Sequence, residues 1–139
     1  MRETFAFQIT VLYRDFLAFT TEELKKLGLS FGQMPLILYV GKHSCCTQAD
    51  LTKALRLDWG YSQRSIAKLV DNGFMKKEPD QEKAGNCLTL TGKGADAFDV
   101  CHEVFGTWDR SHLNGLNAEE KETLFLLLQK MTAEGKESE

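Results

Sequence analysis

No stretch of this chain approaches the roughly 18 to 20 consecutive apolar residues that a membrane-spanning helix requires. Its N-terminus, Met1-Arg2-Glu3-Thr4-Phe5, has an early acid and no small-residue cleavage site, so it does not read as a secretory leader. Four cysteines are present, Cys45, Cys46, Cys87 and Cys101, but they form neither a CxxC pair nor a regular framework. Reduced thiols in a soluble, cytoplasmic protein are therefore expected. Also missing are a nucleophile elbow, a phosphate-binding loop, a His-Glu zinc helix and a Rossmann glycine pattern, which excludes the common enzyme classes. His43 lies near Cys45 and Cys46, and Cys101-His102 precedes His112, yet adjacent cysteines suit a tetrahedral site poorly. No metal and no cofactor are expected. Internal repeats and low-complexity segments are absent as well.

What is present is enough for one self-sufficient domain of 139 residues, since 42% are hydrophobic and nine are Phe. The net charge of −3 is unevenly spread. Residues 41–94 hold nine Lys or Arg against six acids, whereas the remainder holds eight against fourteen. A basic centre between acidic arms suits a phosphate-binding surface, because contact charges outweigh distant ones once salt screens the field.

Apolar periodicity predicts a helix over residues 5–27, with Phe5, Ile9, Leu12, Phe16 and Phe19 on one stripe and Phe7, Val11 and Tyr13 on a second. Gly28 ends it. Ser30-Phe31-Gly32-Gln33 reads as a capping box for a second helix through Val40, with Pro35 late for a first-turn proline. Thr47-Gln48-Ala49-Asp50 caps a short helix ending near Leu57, and Asp58-Trp59-Gly60 is expected to turn. A further helix from Tyr61 to Asn72 would bury Ile66, Leu69 and Val70. Phe74–Lys77 and Cys87–Leu90 then flank a polar tip, as in a hairpin. Two long helices complete the chain. One carries Phe98, Cys101, Phe105 and Trp108, and the other, capped by Asn117 and Glu120, carries Leu124, Leu127, Leu128 and Met131. The tail from Gly135 reads as frayed. So much apolar stripe on terminal helices points to cover by a second subunit.

In this order the sequence resembles the MarR family of winged helix-turn-helix regulators over nearly its whole length. Thr47-Gln48-Ala49-Asp50-Leu51 is similar to the family's first helix-turn-helix segment. Arg64, Ile66, Lys68, Leu69, Gly73 and Lys77 follow its recognition-helix pattern, and Leu90-Thr91-Gly92-Lys93-Gly94 its exit from the wing. The resemblance implies a mainly α fold with a small β-wing, in one domain. Residues 47–91 would be the winged helix-turn-helix and residues 1–28 and 92–135 dimerisation helices. It further implies a homodimer on pseudo-palindromic duplex DNA, repression by promoter occlusion, and release by a small aromatic effector. Lys83 stands at the wing tip where the family usually has Arg, and Gln63 where it often has Thr.

On that pattern Ser62, Gln63 and Arg64 are candidates for base edges. Lys53, Lys68, Lys76, Lys77 and Lys83 are candidates for phosphates, with neutral help from Thr47 and Gln48. Phe16, Phe19, Tyr39, Phe98, Phe105 and Trp108 are candidates for an effector pocket, against the plainer reading that they are core. Two alternatives stay open: a winged-helix protein-interaction module without DNA binding, and a thiol- or metal-responsive sensor on the same fold.

Overall fold

The computed structural model describes residues 4–82 and 84–134. It divides into two compact units, Met1–Phe105 and Gly106–Glu139. Lys83 and the tail from Gly135 lie outside the described residues. The fold is mainly α with one two-stranded antiparallel sheet.

In the first unit, helix α1 (Phe5–Lys25) starts where the Thr4 hydroxyl accepts a hydrogen bond from the Phe7 N–H at 3.0 Å. It closes at Gly28, whose φ of +78° allows the Leu29 N–H to reach the Leu24 carbonyl at 3.0 Å. The Ser30–Gln33 box forms, with the Ser30 N–H donating to Gln33 Oε1 at 2.9 Å. It opens a short 3-10 turn, Phe31–Gln33, before helix α2 (Met34–Lys42). That turn resolves the late proline: Pro35 falls in the first turn of α2, where its missing N–H costs nothing.

Helix α3 (Gln48–Ala54) has a reciprocal cap, the Asp50 N–H on Thr47 Oγ1 and the Thr47 N–H on Asp50 Oδ2, both 3.0 Å. It ends three residues before the expected Leu57. Arg56 takes φ +54° and the Leu57 N–H turns back to the Thr52 carbonyl at 3.0 Å. Helix α4 (Trp59–Asp71) begins earlier than expected, because Asp58 is its N-cap and accepts from the Tyr61 N–H at 3.1 Å. Trp59 and Gly60 are thus its first turn, not a connecting turn. At the other end Gly73, φ +83°, repeats the glycine stop, with the Phe74 N–H on the Leu69 carbonyl at 2.9 Å.

Strands β1 (Met75–Pro79) and β2 (Asn86–Leu90) pair with Met75 opposite Leu90 and Pro79 opposite Asn86. Sequence periodicity gave no sign of an added bridge from the α2–α3 loop. There the Cys45 N–H donates to the Leu88 carbonyl at 3.1 Å, and the Leu88 N–H to the Cys46 carbonyl at 2.7 Å. The same junction corrects the expectation of four reduced thiols. Cys45 and Cys87 are joined in a disulfide, their Cα atoms 4.6 Å apart across 42 residues of sequence. Tertiary pairing, invisible in the spacing, brings them together; Cys46 and Cys101 are free and buried.

The exit from the wing gives the Leu-Thr-x-x-Gly pattern its physical meaning. The Thr91 hydroxyl donates to the Gly73 carbonyl and accepts from the Gly94 N–H at 3.0 Å, so it caps helix α5 (Gly92–Leu113) and ties it to the end of α4. Gly94 is needed for close approach: a Cβ there would lie 1.9 Å from the Phe74 carbonyl oxygen. One core runs through this unit, from Leu24 through Ile37 and Val40 to Leu51, Ile66, Leu69 and Cys101.

The second unit contains the end of α5 and helix α6 (Ala118–Gln129), followed by a π turn, Lys130–Glu134. Asn117 and Glu120 form the expected capping box at 2.8 and 3.0 Å. No residue of helix α6 is fully buried. Among the described residues no helix is long and apolar enough to cross a membrane.

Candidate nucleic-acid interface

Helix α4 is anchored on one stripe and free on the other. Ser62, Ile66 and Leu69, spaced by four and three, are buried against α3 and the core. The Ser62 and Thr52 hydroxyls are 2.6 Å apart, and these groups also reach the Trp59 carbonyl (3.1 Å) and the Gln48 carbonyl (2.7 Å). The hydroxyl–hydroxyl contact clasps α3 to α4, and each carbonyl contact lies within its own helix. This corrects the assignment of Ser62 to a base edge. It is fully buried, and its job is to seat the helix.

Opposite that stripe, Gln63, Arg64, Ala67 and Lys68 face solvent. Arg64 is near the middle of this face. Gly60, one turn earlier, leaves space for its guanidinium: a Cβ at Gly60 would stand 3.1 Å from Arg64 Nη1. Gly60 and Ala67 give the outward face a low profile between its longer polar side chains, so a groove floor can come close to the backbone. Sequence reasoning missed Trp59, which is 52% exposed on the first turn. The signal was Asp58, a favoured N-cap residue that moves the helix start two positions upstream.

The other expected contacts divide. Lys53 and Lys77 are exposed. Lys76 is exposed and paired with Glu78 at 2.8 Å, an arrangement that water screens strongly. Thr47 uses its hydroxyl in the α3 cap. Gln48 is half-buried, and its Nε2 has no hydrogen-bond partner among the described residues. Lys93, part of the basic centre by composition, serves the fold instead. Its ammonium donates to the Asn72 carbonyl at 2.9 Å and sits 4.4 Å above the Phe74 ring, compensating the negative end of α4. Beside the wing tip, Glu78, Asp80 and Glu82 line a cleft of about 470 Å³ with Pro79, Gln81, Ser44 and Cys45.

The six aromatic candidates have these surroundings within their own units. Phe16 stacks on Phe105 at 5.5 Å and meets Phe31 edge-on at 6.1 Å. Tyr39 packs on His43 at 4.3 Å. Phe98 lies against His102 and lines an open cavity of about 290 Å³ with Val40, Gly41, Ser44, Thr89, Leu90, Ala95 and Asp99. Trp108, in the second unit, stacks on His112 at 3.9 Å. Phe19 is half-buried on α1. Among the described residues no group of three or more His, Cys, Asp or Glu side chains could hold a metal ion.

No protein-family model matches the chain. Curated relatives do. The HTH-type transcriptional regulator BilQ of Clostridium symbiosum is 41% identical over 132 residues, covering 94% of this chain and 92% of the relative. The multiple antibiotic resistance protein MarR of Escherichia coli is 30% identical over 112 residues, covering 79% and 78%. Among solved structures, a mutant MarR from Escherichia coli complexed with operator DNA superposes with a TM-score of 0.75 at 26% identity, covering 91% of this chain and 92% of that one. With its capped α3, its outward-facing α4 and its β-wing, the chain belongs to the MarR family of winged helix-turn-helix transcription regulators.

Proposed function

We propose that the protein binds duplex DNA through α4 as a homodimer, represses by occluding a promoter, and is released by a small effector. The observation that carries this reading is the two-sided build of α4. Ser62, Ile66 and Leu69 fix one side rigidly, while Gln63, Arg64 and Lys68 project from the other with small residues between them. A helix so mounted enters a major groove without rearranging, and its side chains meet base edges and phosphates. Residues 47–91 would be the DNA-reading part, with residues 1–28 and 92–135 for dimerisation.

Two apolar faces support the dimer. On α1, Phe5, Phe7, Ile9, Val11, Leu12 and Tyr13 are each 45–53% exposed, and on α6 Phe125, Leu126 and Leu127 are each 51–54% exposed. Faces this large and apolar are covered in a stable soluble protein, and a second copy covers them with two-fold economy of surface. Effector release is supported by the cavity beside Phe98, which adjoins both the wing strand and α5. A ligand there would act by preferring one spacing of the two recognition helices over another.

Arg64→Ala should weaken binding to a specific duplex by roughly 1 to 3 kcal/mol, about 5- to 150-fold, if Arg64 reads a guanine. Lys68→Ala should instead weaken all sequences alike and lower the slope of log affinity against log salt by about one. Fluorescence anisotropy at several ionic strengths checks both. Equal affinities for Arg64→Ala and the wild type would remove Arg64 from the interface.

A further inference from the structure

We propose that Cys45 and Cys87 are a thiol–disulfide exchange site that sets how firmly the wing is tied to the helix-turn-helix, with small neutral or cationic disulfides and dithiols as its reactants. The consequence for DNA rests on the reading of α4 above; the exchange itself does not.

The placement of the pair is the first ground. Cys45 lies two residues before Thr47, the cap of α3, and Cys87 lies in β2. Beside the disulfide, two backbone hydrogen bonds join the same segments, Cys45 to Leu88 and Leu88 to Cys46. Opening the covalent link leaves those two bonds and the core packing of Cys46 and Leu88 to hold the wing against the start of α3. Cys45 also sits at φ +61°, a backbone region that costs a non-glycine residue energy, so the loop gains by relaxing once released.

Access is the second ground. Cys45 is exposed and lines the open cleft with Ser44, Glu78, Asp80 and Glu82, whereas Cys87 is 1% exposed. Exposed disulfides are the labile ones. An incoming thiolate attacks the Cys45 sulfur, forming a mixed disulfide there and expelling Cys87 as a thiolate that takes up a proton. The reagent's second thiolate then attacks its own sulfur in that mixed disulfide. Cys45 leaves as a thiolate that takes up a proton, and the reagent departs as a cyclic disulfide. Two electrons have passed from reagent to protein. Oxidation by a small disulfide runs these steps in reverse. Asp80 and Glu82, beside a Glu78 that Lys76 already compensates, favour neutral or cationic reagents over anionic ones. Competing thiols are shielded, since Cys46 is buried and burial pushes Cys101 up to about 11.

The test uses the wild-type protein, oxidised with cystamine or reduced with dithiothreitol, with the state of each sample fixed by alkylation and mass. Reduction should speed amide exchange at Cys45 and Leu88 by about tenfold, as expected for local opening. It should weaken binding to a specific duplex about fivefold, through lost preorganisation. Cys45→Ser should match the reduced protein under both conditions. Unchanged exchange at Cys45 and Leu88 between verified oxidised and reduced samples would overturn the proposal, as would failure of cystamine to re-form the bond. Faster exchange without DNA binding in either state would uphold the exchange site and defeat the reading of α4.

Discussion

Gly94→Ala should cost about 3 kcal/mol of stability, the upper end of what overpacking normally does. The Cβ it adds would stand 1.9 Å from the Phe74 carbonyl oxygen, and 3.0 Å from that carbonyl carbon. Both are backbone atoms held by their neighbours, because the Thr91 N–H donates to the Phe74 carbonyl at 3.1 Å and the Phe74 N–H is bonded to Leu69. Relief would therefore have to move α5 off the end of α4 and the wing. Gly41→Ala makes a useful contrast. Its Cβ would come within 2.2 Å of the Phe98 ring, but a side chain beside an open cavity is able to turn. About 1 kcal/mol is expected there. At Gly92 a Cβ meets nothing within 4 Å, so alanine should stay within about 0.5 kcal/mol of the wild type. Urea unfolding with an unchanged m-value would rank the three. Equal midpoints for Gly94→Ala and Gly92→Ala would mean that α5 does not approach Phe74 as described.

Removing the Cys45–Cys87 bond should be the other large loss, about 2 to 4 kcal/mol. The bond closes a loop spanning 42 residues that includes both helices of the helix-turn-helix and β1. Freed of it, the unfolded chain regains the conformations that loop closure forbids. For a chain of this size the melting temperature should fall by about 6 to 15 °C on reduction. Differential scanning fluorimetry with and without dithiothreitol measures this, and Cys45→Ser should melt like the reduced protein. Coincident melting curves for the oxidised and reduced samples would show that the two backbone hydrogen bonds at Leu88 suffice to hold the junction.

Local chemistry in this chain was legible in the sequence because each signal acts over a few residues. Thr47 with Asp50 and Asn117 with Glu120 form the reciprocal caps their spacing predicts, and the Ser30 N–H meets the Gln33 side chain as expected. Gly28 and Gly73 stop helices for the same reason, since each needs a positive φ. What escaped depends on partners distant in sequence. Nothing near Cys45 announces Cys87, because the strand bridge at Leu88 joins them. Arg56 ends α3 in the left-handed region without the glycine that marks such a stop, which is why the expected helix ran on to Leu57. Ser62 was misplaced for a different reason. Its spacing to Ile66 and Leu69 already put it on the inner stripe, but its polarity suggested the surface until Thr52 supplied a partner. The aromatic candidates share helical stripes, and periodicity cannot say which stripes meet.

DNase I footprinting on the intergenic DNA beside the protein's own gene, repeated across a range of salt, tests the central claim most directly. A recognition helix mounted like α4 predicts a discrete protected site containing an inverted repeat. Its half-site centres should be one helical turn, about 34 to 36 Å, apart or a multiple of that. Affinity should fall steeply as salt rises, because Lys and Arg contacts release counterions. Absence of any protected site at low salt, or an affinity indifferent to salt, would contradict DNA binding through α4 and leave the winged helix as a surface for protein partners.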